Sequence, residues 1–103
     1  MKYLTFLLLK FLLLSNFVMA ETIPTKYKIL KEASYCIKDS QAQVCKELVS
    51  EIEKLQLLVF DQSRFKCQSS LLGMQSAIIE AYFYKNPSNK RISLMIPYVI
   101  KNC

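Results

Sequence analysis

Cys36, Cys45, Cys67 and Cys103 are the residues of this chain with the most chemistry available to them. The stretches between them are 8, 21 and 35 residues long. A four-thiolate zinc site brings its ligands in close pairs such as C-x-x-C, and neither that pairing nor a C-x-x-C redox centre occurs here. An even number of cysteines in a short exported chain is read instead as two disulfides. The rest of the inventory is poor in catalytic groups. There is no histidine, hence no imidazole base and no Ser/His/Asp or Cys/His arrangement. A single glycine cannot build a glycine-rich phosphate cradle. Glu47 and Glu51 form a carboxylate pair at helical spacing, which solvated helix faces carry routinely. The expectation is a protein that is not an enzyme and takes no cofactor and no metal.

The elements that position the cysteines follow from hydrophobic periodicity. Ile29, Leu30, Ala33, Cys36 and Ile37 repeat at helical spacing, so a first helix is predicted over 25–38. Asp39-Ser40 breaks it, and Ser40 with Gln43 three residues later reads as a capping box opening the second helix. Val44, Cys45, Leu48, Val49, Ile52, Leu55 and Val59 line one face of that helix, roughly residues 41–62. Glu47, Glu51 and Lys54 lie largely opposite, Glu47–Glu51 repulsive and Glu51–Lys54 mildly favourable. Asp61-Gln62-Ser63 interrupts the pattern. A third helix is predicted from Phe65, with Leu71, Leu72, Ile78, Ile79, Tyr82 and Phe83 inward. Gly73 inside it costs about 1 kcal/mol relative to alanine and signals a close helix crossing. Asn86-Pro87 ends one element and can open another. The last segment, RISLMIPYVIKNC, fits helix or strand, and Pro97 hurts both. A lone strand would have no partner, so a fourth helix, kinked or ended near Pro97, is favoured over strand or irregular structure. The predicted fold is an all-α, disulfide-stapled four-helix bundle.

Helix length then selects the pairing. A second helix of that size is on the order of 30 Å long, and bridged Cα atoms lie within about 7 Å. Cys67, past its far end, cannot reach Cys36 or Cys45 at its beginning. Cys36–Cys45 and Cys67–Cys103 follow.

Residues 1–20 place the chain. Lys2 is followed by an apolar run from Leu4 to Leu14, broken by Thr5 and Lys10, and Val18 and Ala20 supply small residues before a cleavage point. This is the pattern of a secretory signal cleaved after Ala20, giving a periplasmic or secreted chain with one helical domain over 21–103. The 83 residues left carry 12 basic and 8 acidic side chains, net +4. So small and dispersed a charge is no nucleic-acid signature. Membrane contact is expected only through an uncleaved signal or weak surface binding.

Apolar excess marks surfaces for partners. Tyr82, Phe83 and Tyr84 cannot all face one core, and Leu57, Leu58 and Phe60 add a second apolar face to the second helix. Tyr82, Tyr84 and Phe60 are the candidate contacts for a protein partner or a homodimer.

From Ile29 to Cys103 the order of features resembles the Rap/Tai-type immunity proteins of bacterial type VI secretion. The resemblance lies in Cys36 and Cys45 across a helix turn, in Phe65-Lys66-Cys67 opening the next helix with Gln75 inside it, and in Tyr82-Phe83, Asn86-Pro87 and the closing cysteine. Lys46-Glu47-Leu48 stands where that family has a glycine-aromatic motif, and its proline soon after the third cysteine is missing. The resemblance implies a small exported helical protein that neutralises a cell-wall amidase effector by occluding it. It carries over no effector-contacting residue. Saposin-like membrane-active domains share only helicity, size, apolar richness and positive charge with this chain, and have six cysteines in another spacing. They supply the rival expectation, a membrane-surface or lipid-binding module. An envelope assembly factor is a third.

Overall fold

The computed structural model describes residues 23–84 and 89–103. The signal pattern and the Asn86-Pro87 cap lie outside the described residues. Four helices follow one another: α1 (Lys26–Lys38), α2 (Gln43–Asp61), α3 (Phe65–Phe83) and α4 (Lys90–Asn102). Each packs on the next, and α4 returns to α1, closing the bundle. No strand occurs among the described residues.

The core is the sum of one stripe per helix. Ile29, Ala33 and Cys36 of α1 meet Cys45, Leu48, Ile52, Leu55 and Val59 of α2. Leu71, Met74 and Ile78 of α3 and Ile92 and Val99 of α4 complete it, each fully buried. Val44, Val49, Leu30 and Ile37 pack against its edge. Both disulfides join the predicted partners. Cys36–Cys45 spans the α1–α2 turn with Cα atoms 5.4 Å apart, and Cys67–Cys103 ties the start of α3 to the end of α4 at 4.7 Å. Such bonds belong to an oxidising compartment outside the cytoplasm. Among the described residues no helix is long and apolar enough to cross a membrane.

Helix ends depart from the sequence reading where tertiary contacts compete. Thr25 caps α1, its Oγ1 accepting from the Lys28 N–H at 3.2 Å. The Ser40–Gln43 capping box does not form: α2 starts at Gln43 behind Ala42, with no side-chain cap. Instead Asp39 Oδ1 accepts from the Gln41 N–H, and Gln41 Nε2 reaches across to the Ala81 and Tyr82 carbonyls. Gln41 thereby satisfies acceptors at the C-terminus of α3, which that helix cannot satisfy itself. Asn89 does the same for α1, its Nδ2 donating to the Ile37 carbonyl at 2.8 Å.

The α2–α3 turn closes with a Schellman arrangement. Arg64 N–H donates to the Val59 carbonyl and Ser63 N–H to the Phe60 carbonyl. Ser63 occupies the left-handed position, φ 58°, where a Cβ is disfavoured by about 1–2 kcal/mol. Ser63→Gly is therefore expected to stabilise the chain by up to about 1 kcal/mol, the gain offset in part by glycine's larger unfolded-state entropy. An unchanged or lowered denaturant midpoint would contradict this.

α4 is a helix throughout and runs through Pro97 to Asn102 rather than ending there. The proline removes one N–H whose acceptor would be the Ser93 carbonyl, and both residues are exposed, so water can serve that carbonyl. Gly73 marks the crossing of α3 and α4: a Cβ there would lie 2.6 Å from the Met95 methyl. The two helices are also tied by polar contacts. Asn102 Nδ2 donates to the buried Ser70 hydroxyl, which donates in turn to the Lys66 carbonyl.

Candidate functional site

α3 departs most from expectation, and that departure defines the site. Leu71 and Ile78 are fully buried, but Leu72 and Phe83 point outward at 55% and 52% exposure, and Ile79 and Tyr82 are only partly buried. The inward face uses small residues instead: Ser70, Ala77 and Ala81 are buried beside Met74. These let the neighbouring helices approach closely, so the bulkier apolar side chains are displaced to solvent.

The outward residues are not scattered. Phe65, Ser69, Leu72, Ser76, Ile79 and Phe83 follow one another at intervals of four and three. That alternation is the 3.5-residue period of a helix–helix seam. The face runs the length of α3, about 28 Å, and residues 67–79 contain no charged side chain. Exposed helix faces are ordinarily charged.

At its N-terminal end the seam opens into a groove of about 500 Å³ between α3 and α4. Phe65, Lys66 and Ser69 form one wall, and Met95, Tyr98 and Asn102 the other. Phe60, 53% exposed, extends the apolar surface by packing edge-on to Phe65, ring centroids 6.2 Å apart. Next to Phe65, Arg64 ties the start of α3 to the end of α4, its Nη2 donating to the Cys103 carbonyl at 2.8 Å.

The three residues proposed from sequence as contacts do not form one patch. Phe60 lies at the α2–α3 turn. Tyr82 and Tyr84 lie at the other end of α3, where Tyr82 is partly buried against Phe83, centroids 4.9 Å apart, and Tyr84 is 78% exposed. Phe65, Leu72, Met95 and Tyr98 were missed. The uncharged run 67–79 was the available signal for Leu72.

A cluster of ion pairs joins the first two helices. Lys28 is 3.9 Å from Glu32 and 3.7 Å from Glu51, and Lys54 is 3.6 Å from Glu51. Burial pushes the Glu32 carboxyl above its ordinary 4.5. Lys28 pulls it back, and Glu51 and Glu47 push it up again. The folded chain thus binds more protons at Glu32 than the unfolded chain does, in a window that opens near 4.5 and closes at the raised value. Across it, stability contributed by the protonated form is lost as pH rises. Glu32→Gln is expected to remove that slope, leaving the variant at least as stable as the parent at neutral pH. Denaturation midpoints measured across the window check this, and an unaltered slope would refute it. Among the described residues no group of three His, Cys, Asp or Glu side chains could hold a metal ion.

Compared with family models, curated proteins and solved structures, the chain matches none.

Proposed function

We propose that this chain is an exported binding protein without catalytic activity of its own, an immunity-type inhibitor of the bacterial periplasm that occludes a cell-wall amidase effector. The signal pattern, the two disulfides and the resemblance to Rap/Tai-type immunity proteins support the compartment and the class. The observation that carries the binding role is the uncharged seam on α3 with its groove. An apolar face of this length costs solubility unless it has a partner. Apolar anchors such as Leu72 and Phe65 ringed by polar residues are the pattern of a binding hot spot.

The test uses the mature, oxidised protein and purified type VI amidase effectors acting on peptidoglycan. Inhibition at a one-to-one ratio is expected with a cognate effector, lost in Leu72→Asp while the unfolding temperature stays unchanged. Inhibition that survives Leu72→Asp would remove the seam from the reading. Mass spectrometry of the envelope fraction should find a chain beginning at Glu21, and a cytoplasmic chain retaining Met1 would sink the compartment. The basic, aromatic α3–α4 side also suits the rival reading of a membrane-surface module, whose signature is salt-sensitive co-sedimentation with anionic vesicles.

A further inference from the structure

The seam has a period, and the surface around it has a charge. We infer that the occupant is a single helix of the partner protein, carrying carboxylates along the flank that meets α4. This rests on the binding role proposed above and specifies its chemistry.

The period argues for a helix. Phe65, Leu72 and Ile79 recur every seven residues, with Ser69, Ser76 and Phe83 between and beyond them. A strand or loop would meet this face at one or two positions. A second helix crossing at a shallow angle stays in register along all of it. The serines alternate with the large side chains and leave holes into which an incoming side chain fits. The groove beside Phe65 and Tyr98, about 500 Å³ and open to solvent, offers room for an apolar anchor at one end of such a helix.

The charge argues for carboxylates. Over residues 25–62, α1 and α2 carry six basic and six acidic side chains, a balanced surface. The described residues from 63 onward carry Arg64, Lys66, Lys90, Arg91 and Lys101 against Glu80 alone. The net positive charge of the described residues therefore lies entirely with α3, α4 and the turn before them. Lys66 stands in the wall of the groove, and Arg91 pairs with Glu80 beside the seam. The seam is basic on its α4 side, at Lys66. Its α2 side carries the exposed Glu53, one turn from Gln56 and Val49, which meet Gln75. A helix with carboxylates on the flank that meets α4 is attracted, and one with cations there is disfavoured. A second copy of this chain, α3 against α3, would face these cations with its own. An anionic lipid surface would meet the same charge. It gains nothing from a seven-residue repeat.

The probe is a displayed library of helical peptides with apolar residues at heptad a and d positions and Glu, Gln or Lys at e and g. It is selected against the full oxidised protein. The expected pool is rich in Glu at whichever of e and g meets α4. Binding of its members, followed by fluorescence anisotropy, should weaken at least about tenfold in Leu72→Asp. It should also weaken toward 1 M salt, where charges are screened within about 3 Å. Ser76→Arg, at a second exposed position, should block binding in the same way, so that a folding defect in one variant does not decide the matter. In Lys66→Glu/Lys101→Glu the pool should shift from Glu toward Lys. A pool that binds through Leu72 without preferring Glu overturns the charge assignment and leaves the binding role standing. No peptide retained on the parent above Leu72→Asp overturns both. Retention on phosphatidylglycerol vesicles without peptide binding assigns the face to lipid. Leu72-dependent self-association assigns it to a second copy. Each of these two outcomes also overturns the inference.

Discussion

Removing the Cys67–Cys103 bond, by Cys67→Ser with Cys103→Ser, is expected to lower stability by about 4 kcal/mol in the chain-entropy account of disulfides. The bond joins positions 36 apart in sequence, against 9 for Cys36–Cys45, whose loss should cost about 3 kcal/mol. Replacing both cysteines of a pair leaves no thiol to attack the remaining disulfide. In each variant one of the two hydroxyls introduced has an acceptor at hand. The Cys45 sulfur is 3.4 Å from the Asp39 carbonyl and the Cys103 sulfur 3.6 Å from the Cys67 carbonyl, so a serine hydroxyl at either place can find a partner. The difference between the two variants therefore reads chiefly the loop term. Domains of this size hold at the low end of about 5–15 kcal/mol, so either loss consumes much of the total. Denaturant titration of both variants measures the order. A larger loss at Cys36–Cys45 would mean that the short staple acts on the folded turn rather than on the unfolded chain.

Two adjacent leucines should respond in opposite ways. Leu71→Ala empties a fully buried position and is expected to cost about 2.7–5 kcal/mol, lowering the unfolding temperature by at least roughly 10 °C. Leu72→Ala, at 55% exposure, should change stability by no more than about 0.5 kcal/mol. Its effect should appear in binding instead. Thermal unfolding of the two variants side by side is sufficient. Comparable losses at both positions would place Leu72 inside the core and dissolve the seam.

That pair also shows where sequence reading fails. In α2 the stripe from Cys45 to Val59 repeats regularly, and the period found its buried face although Leu57 and Phe60 lie outside it. In α3 they occur as neighbours: Leu71-Leu72, Ile78-Ile79, Tyr82-Phe83-Tyr84. Successive residues on a helix are about 100° apart, so such doublets satisfy two faces equally and fix no phase. What settles the phase is the need for close approach to α4, met by Ser70, Gly73 and Ala77, residues too small to register as hydrophobic signal. The disulfide pairing was legible because it depends on helix length, which survives errors of two residues at each end. The Ser40 cap was misread because local capping chemistry gave way to contacts from distant parts of the chain. Gln41 serves carbonyls 40 residues away, which no short window can contain. The candidate contacts are separated for another reason. Phe60 and Tyr84 are exposed as expected, yet antiparallel packing of α2 and α3 sends them to opposite ends of the bundle.

The two disulfides have a consequence for the chain as a connected object. Each closes one pair of helices on itself, α1 with α2 and α3 with α4, and neither encloses the other. A backbone break inside either ring leaves the molecule in one piece. Between the rings the chain passes once, from Cys45 to Cys67, and its exposed turn is Gln62-Ser63-Arg64. One cut there yields two separately cross-linked hairpins, held together by non-covalent contacts alone, including the core between α2 and α3, the contact of α1 with α4, and the hydrogen bonds of Gln41 and Asn89. The molecule is covalently a dumbbell, although it folds as a single bundle.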